Sequence, residues 1–213
     1  MICYDYINEY IRKTIKGSKG ILKELEEYAK EHHVPIIQPE VARLITVLGS
    51  IIRPKTILEV GTAIGYSSIL LSSVLAPGGM IDTIDRYELM LDRAKENIKK
   101  AELENVVNII QGDAIDVLRS LDKKYDMVFL DAAKGQYMEF LPECLRMLEK
   151  GGVLISDNVL YKGMIANDDL VVRRKKTIVK RMRSYLDSIC NNPELETSIV
   201  PIGDGLAISY KKV

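Results

Sequence analysis

The chain has 213 residues, 47% of them hydrophobic, and its 30 basic and 30 acidic side chains give a formal net charge of zero. This length suits one sizeable core, so we predict a single domain over residues 1–213, of which residues 1–53 form a helical N-terminal extension. A zero net charge excludes a global field that attracts nucleic acid or membrane, so such a partner would need a local charged patch.

Apolar residues at helical spacing predict three helices in the first quarter of the chain. The first two lie around residues 6–11 and 21–28, and the third opens with Pro39 as a first-turn proline and ends before Pro54. After Pro54 the pattern changes to short apolar runs that alternate with amphipathic helices. The predicted strands are 56–60, 80–84, 106–110, 127–130 and 153–156, and the helices between them are 67–75, 88–101, 114–121 and 137–148.

The remaining elements complete the predicted sheet. A long basic helix over residues 170–189 is followed by two strands, 197–202 and 206–211, and the turn Gly203-Asp204-Gly205 between these strands predicts an antiparallel hairpin. Continuous apolar strands separated by helices indicate a parallel sheet that is covered on both faces. We therefore predict an α/β, Rossmann-like fold with a seven-stranded, mostly parallel, doubly wound sheet.

Small residues and an acid follow the first three predicted strands. Gly61 and Gly65 let the chain turn tightly and approach a ligand, and Asp85, about 20 residues on, can bind ribose hydroxyls. Each feature alone also fits an ordinary turn or a helix cap. Because ligands of open parallel sheets bind beyond the carboxyl ends of strands, the ordered set predicts a nucleoside-cofactor site. Its predicted residues are Gly61, Thr62, Gly65, Asp85, Gly112, Asp113 and Ala114.

Oxygen-bearing side chains follow the fourth and fifth strands. Asp131 ends the fourth strand, and Asp157 and Asn158 end the fifth. Carboxylate and amide oxygens are hard ligands that suit Mg²⁺ or a similar ion. The alternative is that Asp131 only holds the cofactor and Asp157 only caps a helix.

Four segments carry a resemblance to a known family. ILEVGTAIGYS, FLDAAKGQY, GGVLISDNVLYKG and PIGDGLAIS resemble the metal-dependent class I O-methyltransferases that include catechol and caffeoyl-CoA methyltransferases, and the likeness spans nearly the whole chain. The resemblance implies S-adenosyl-L-methionine as methyl donor, a divalent ion (Mg²⁺, or Mn²⁺ or Ca²⁺) on Asp131, Asp157 and Asn158, and Lys134 as general base. It implies a cofactor site lined by Ile37, Glu59, Gly61, Ser67, Asp85, Ala114 and Asp131. Many relatives carry Glu where this chain has Asp85.

Two further segments resemble the bacterial tRNA 5-hydroxyuridine methyltransferases: EHHVPI at residues 31–36 and RRKK at 173–176. This resemblance implies methylation of 5-hydroxyuridine to 5-methoxyuridine in a tRNA anticodon loop. A metal that needs two adjacent substrate oxygens suits 5-hydroxyuracil, with its 5-hydroxyl beside the 4-carbonyl, and suits catechols equally. The residues expected to contact RNA are Lys162, Arg173, Arg174, Lys175, Lys176, Lys180 and Arg181, with Arg183 nearby.

Three functions remain open on the sequence: the tRNA methyltransferase, a small-molecule catechol-type methyltransferase, and a cofactor-binding protein without catalysis. The basic run also fits an ordinary solvated face. We expect a homodimer in which the N-terminal helices help to cover the interface, and no membrane partner, because no apolar run approaches the roughly 18 residues of a spanning helix. Three cysteines without a CxxC pair favour a reducing, cytoplasmic location.

Overall fold

The computed structural model describes residues 2–213. These residues fall into two compact units, one made of Asp5–Asp113 and the other of residues 2–4 and 114–213. Each unit is described by itself below. The single-domain assignment over residues 1–213 stays a prediction.

The predicted fold class is confirmed. The described residues form a seven-stranded sheet with strand order β3-β2-β1-β4-β5-β7-β6. Its strands are β1 Thr56–Val60, β2 Met80–Asp85, β3 Val107–Gln111, β4 Tyr125–Leu130, β5 Leu148–Ser156, β6 Leu195–Val200 and β7 Leu206–Lys211. The α-helices are α1 Asp5–Thr14, α2 Ile21–His32, α3 Pro39–Ile52, α4 Tyr66–Ser72, α5 Glu88–Lys100, α6 Ala114–Ser120, α7 Tyr137–Met147 and α8 Lys176–Cys190.

The unit Asp5–Asp113 contains the helical extension and three parallel strands. Strand β1 pairs with β2, and β2 with β3, so that Val60 faces Ile84 in the first ladder and Asp85 faces Gln111 in the second. Pro39 begins α3, where its missing N–H costs no helical hydrogen bond. Parallel pairing in register brings the carboxyl ends of the three strands to one edge.

The second unit contains the mixed half of the sheet. Strand β4 runs parallel to β5, β5 is antiparallel to β7, and β7 is antiparallel to β6, so the predicted terminal hairpin is confirmed. Its core is aromatic. The fully buried large side chains are Tyr125, Phe129, Tyr137, Phe140 and Tyr185.

The predicted helix over residues 170–189 is wrong in its first turn and a half. Arg173–Lys175 form a separate 3₁₀ turn, and α8 begins only at Lys176. Val171 and Val172 between the turns have extended backbone, which β-branched side chains favour. The side chain of Asn167 accepts the N–H of Asp169 and so caps a further separate 3₁₀ turn, Asp168–Leu170, before these two residues.

Across residues 2–213 the helices are all too short or too polar to cross a lipid bilayer.

Candidate active site

The glycine turn after β1 is held against the end of β2. The N–H of Gly61 donates to the carbonyl oxygen of Ile84 at 2.9 Å, and the N–H of Gly65 donates to the carbonyl oxygen of Thr62 at 2.8 Å. Gly65 has φ of 82°, and a Cβ there would meet Ala94 of α5 at 3.4 Å. The turn therefore needs glycine both for its left-handed backbone and for close packing.

Asp85 braces this turn through its carboxylate. Its Oδ2 accepts the N–H of Ala63 at 2.9 Å, and its Oδ1 accepts the N–H groups of Arg86 and Tyr87 at 2.7 and 3.1 Å. The backbone N–H of Gly112, after β3, donates to the carbonyl oxygen of Asp85 at 2.9 Å. The structure thus brings together the predicted residues at the ends of β1, β2 and β3, and Oδ2 of Asp85, which accepts one hydrogen bond, keeps a lone pair for a ligand.

Two other predicted cofactor residues belong to the same unit. Asp113 forms an ion pair with Arg86, with 3.1 Å between the carboxylate oxygen and the guanidinium nitrogen. Ile37, in the segment before α3, is buried. Their roles in cofactor binding stay predictions.

Glu59, the residue before the last in β1, is a fully buried carboxylate. Its Oε2 accepts hydrogen bonds from the hydroxyl groups of Ser68 and Thr83, whereas its Oε1 has no hydrogen-bond partner among the described residues. Burial raises the pKa of Glu59, and the neighbouring hydroxyl groups, including that of Ser67, only partly oppose this effect. A buried acceptor without a donor is costly, so this atom indicates a place for a bound donor group.

In the second unit, Asp131 and Asp157 lie at the same edge of the sheet. They follow β4 and β5, two parallel neighbours whose last paired residues are Leu130 and Ser156. The N–H of Asp157 donates to the carbonyl oxygen of Leu130 at 2.9 Å, which extends the ladder by one bond. The first two predicted metal ligands are therefore brought together, and Asn158 follows directly.

Sequence reasoning missed the part played by Tyr137 at the start of α7. Its buried hydroxyl group lies 3.0 Å from the carbonyl oxygen of Leu130 and 3.1 Å from that of Asp157, so its proton is shared between the two strand ends. Burial raises the pKa of Tyr137 well above its usual value, and the charges of Asp131 and Asp157 add to the effect. An aromatic residue at the first position of a helix that follows the acidic strand end was the available signal.

Two charged side chains of this unit, Lys134 and Asp204, change the pKa of Asp157. Burial raises the pKa of Asp157 to about 6, the N–H of Asn158 and the charge of Lys134 lower it, and the charge of Asp204 raises it. Lys134, which begins a 3₁₀ turn after β4, is half-buried. The predicted general base and one predicted metal ligand, Asp157, are thus within electrostatic reach of each other.

The predicted basic residues divide into two groups. Arg181 donates to the carbonyl oxygen of Gly135 at 3.0 Å, and Arg183 forms an ion pair with Asp168 at 2.7 Å, so both have partners inside the protein. The ammonium of Lys175 lies 5.6 Å from the centroid of the Tyr161 ring. The others are exposed: Lys162, Arg173, Arg174, Lys176 and Lys180.

Comparison with known proteins assigns the family. A family model for O-methyltransferases matches residues 13–212. A Staphylococcus aureus structure, described as a candidate caffeoyl-CoA O-methyltransferase, is 36% identical, with a TM-score of 0.90 over 97% of this chain and all of its own. A Bacillus cereus O-methyltransferase, solved with S-adenosylhomocysteine (SAH), is 25% identical, with a TM-score of 0.86 over 97% of each chain.

A curated relative has the same extent. The catechol O-methyltransferase of Niastella koreensis is 28% identical over 98% of both chains. This chain therefore belongs to the O-methyltransferase family, and the enzyme class predicted from its sequence is confirmed. The family of the caffeoyl-CoA and catechol enzymes, to which the sequence motifs pointed, is confirmed with it.

Proposed function

We propose that this protein transfers the methyl group of S-adenosylmethionine to a hydroxyl oxygen that has a second oxygen beside it, with the help of a divalent ion. The acceptor that we propose is 5-hydroxyuridine in the anticodon loop of tRNA, and the product is 5-methoxyuridine.

The residues of the Asp5–Asp113 unit fit the proposed cofactor. S-adenosylmethionine carries an ammonium group, which can donate to the buried Oε1 of Glu59, an acceptor without a donor. The carboxylate of Asp85 has remaining acceptor capacity for ribose hydroxyls. The SAH found in the Bacillus cereus relative supports the same cofactor class for this chain.

The residues of the second unit fit a hard divalent ion. Asp131, Asp157 and Asn158 would hold it, since carboxylate and amide oxygens are the donors that Mg²⁺ and Mn²⁺ take. Such an ion, when bound, lowers the pKa of an acceptor hydroxyl. Lys134 in its neutral form accepts the hydroxyl proton at Nζ. The oxygen then bonds to the methyl carbon as the carbon–sulfur bond breaks, which leaves SAH and a protonated Lys134.

One observation carries the choice of tRNA over a small molecule. The contact between Lys175 and Tyr161 places the basic turn Arg173–Lys175 against the segment that follows Asp157 and Asn158. In a chain of zero net charge, exposed cations beside this segment give a polyanion a local binding surface. Bases in single-stranded loops can be splayed into a pocket, which fits an anticodon-loop acceptor.

The test compares two double variants. Arg174→Ala/Lys176→Ala removes two exposed cations from this surface, and Lys99→Ala/Lys100→Ala removes two exposed cations from the end of α5 as a matched control. Methylation of tRNA is measured against salt concentration. Each phosphate contact on a single strand contributes a log–log salt slope of about −0.7, so the first variant should flatten the slope by about 1.4.

The same assay separates the second candidate, a small-molecule methyltransferase, which the similarity to a catechol O-methyltransferase favours. With a catechol as acceptor, neither double variant should change the rate, because a catechol carries no phosphate. Equal loss of tRNA and catechol methylation in Arg174→Ala/Lys176→Ala would contradict the tRNA proposal. A full complement of methoxyuridine in tRNA from cells that lack this protein would also contradict it.

We further propose that the protein is a homodimer located in the cytoplasm. Helix α1 is amphipathic but buries none of its side chains, and Tyr10 on α1 and Ile51 on α3 are 70% and 74% exposed. Exposed apolar side chains mark a partner's surface where they form one continuous patch, and we propose that those of α1 and α3 form such a patch. All three cysteines are free, as expected in a reducing compartment.

A further inference from the structure

The turn between β6 and β7 lies against the segment that follows β5. The N–H of Val159 donates to the carbonyl oxygen of Gly205 at 2.9 Å, and the N–H of Leu160 donates to that of Asp204 at 3.0 Å. The carboxylate oxygen Oδ1 of Asp204 accepts the N–H of Lys162. Three hydrogen bonds therefore tie residues 159–162 to a turn that is about 40 residues away in sequence.

The tied segment has an unfavourable backbone. Asn158, Tyr161 and Lys162 have φ values of 58°, 40° and 58°. The left-handed region costs free energy for any residue with a side chain, so the segment keeps this conformation only where its surroundings impose it. The hydrogen bonds to the turn are such a constraint, and they begin one residue after Asn158.

The turn itself is shaped for close approach. Gly205 has φ of 90°, and a Cβ at this position would collide with the side chain of Leu160. Asp204 is held among charges: Lys134 and Lys162 lower its pKa, although burial raises it by more. Its carboxylate is thus directed at the segment and not at open solvent.

We propose that Asp204 is a positioning residue, whose hydrogen bond to the Lys162 N–H fixes the segment that presents Asp157 and Asn158 to the divalent ion. The inference rests on the metal site of the proposed function. Asp204 acts through the backbone of its neighbours and needs no contact with the ion.

The experiment measures Mn²⁺ affinity by electron paramagnetic resonance, which counts the free ion and requires no turnover. Asp204→Asn keeps the acceptor oxygen without the charge, and Asp204→Ala removes both. Asn192→Ala is the matched control, because Asn192 makes the same kind of bond, to the N–H of Glu194, in a different turn of the same unit. Residues that orient metal ligands alter affinity about 10–100-fold, so Asp204→Ala should weaken Mn²⁺ binding at least tenfold.

The other variants decide the mechanism. The Mn²⁺ affinity of Asp204→Asn should stay within about threefold of the wild-type value, since loss of a ligand-orienting group changes affinity about 10–100-fold. The Mn²⁺ affinity of Asn192→Ala should match the wild-type value. Thermal melting checks that each variant folds. If Asp204→Ala does not fold, Asp204→Ser takes its place, because the serine hydroxyl group is on a shorter side chain than the Asp204 carboxylate. Wild-type Mn²⁺ affinity in Asp204→Ala would overturn this inference without affecting the proposed metal site. So would a Mn²⁺ affinity in Asp204→Asn that is as weak as in Asp204→Ala. A wild-type protein without Mn²⁺ binding would overturn the proposed metal site itself.

Discussion

At the scale of single residues, Glu59 is a buried carboxylate whose Oε1 has no hydrogen-bond partner among the described residues. Its pKa is raised because the carboxylate is buried, so the fold favours the protonated form. The stability that this group contributes is therefore present at low pH and is lost as the pH rises through its raised pKa. A bound ligand with a cationic donor would supply the hydrogen bond that Oε1 of Glu59 lacks in the free protein.

We predict that Glu59→Gln stabilises the ligand-free protein at pH 7 by about 1–3 kcal/mol, because an unpaired neutral group costs less to bury than an unpaired charge, and abolishes cofactor binding. Urea unfolding from pH 4 to pH 8 measures the first effect, and calorimetry with SAH measures the second. The stability difference between variant and wild type should grow as the pH rises. A variant that is less stable than wild type at pH 8 would show that Glu59 serves the fold.

At the scale of elements, one ion pair joins α1 to α3. The guanidinium of Arg12 binds both carboxylate oxygens of Glu40, at 2.7 and 2.8 Å, and the Glu40 side chain is fully buried. Burial works to raise the pKa of Glu40, but the hydrogen bonds from Arg12, a backbone hydrogen bond and the charge of Arg12 together outweigh it, so the pKa is lowered. The pair therefore stabilises the protein at neutral pH, and this contribution is lost as the pH falls through the lowered pKa.

Arg12→Ala should destabilise the protein by about 2 kcal/mol at pH 7, below the range for fully buried pairs because Arg12 is 43% exposed. Denaturant unfolding provides the measurement. Lys13→Ala, on the same helix but in an exposed pair with Glu9, should have almost no effect. Arg12→Ala/Glu40→Gln should recover part of the loss, and failure to recover any would mean that Arg12 acts through packing instead of charge.

The strands are predictable because each is a short apolar run, and their carboxyl ends identify Asp85, Asp131 and Asp157 without any tertiary information. The start of α8 is not predictable in this way. Val171 and Val172 lie in the apolar pattern of the predicted helix but have extended backbone, and the pattern does not distinguish the short turn Asp168–Leu170 from the first turn of a longer helix.

Contacts between distant segments are also hidden from the sequence. Asp204 reads as a turn residue, since its partner Lys162 lies 42 positions earlier. Tyr137 reads as an ordinary core residue, although its hydroxyl group joins two strand ends. Periodicity reports which face of an element is buried, and it carries no information on which polar groups meet across the sheet.

For the whole molecule, the proposed dimer gives a direct prediction. Light scattering at micromolar concentration should give about twice the 24.0 kDa of the chain. Tyr10→Glu/Ile51→Glu should shift the mass toward the monomer, because charges placed in an apolar interface are costly to desolvate. Leu89→Glu is the matched control: Leu89 is 87% exposed on α5, outside the predicted interface. A monomeric wild type would contradict the dimer.

The position of β7 between β5 and β6 has a consequence for protein synthesis. A chain still on the ribosome that has been made as far as α8 already contains Asp131, Asp157 and Asn158. It lacks the strand that pairs with β5 and the turn that ties residues 159–162. Nascent chains therefore carry the residues of the proposed metal site before the contacts that hold this segment exist, so we expect a stalled or prematurely terminated product that lacks β7 to be inactive.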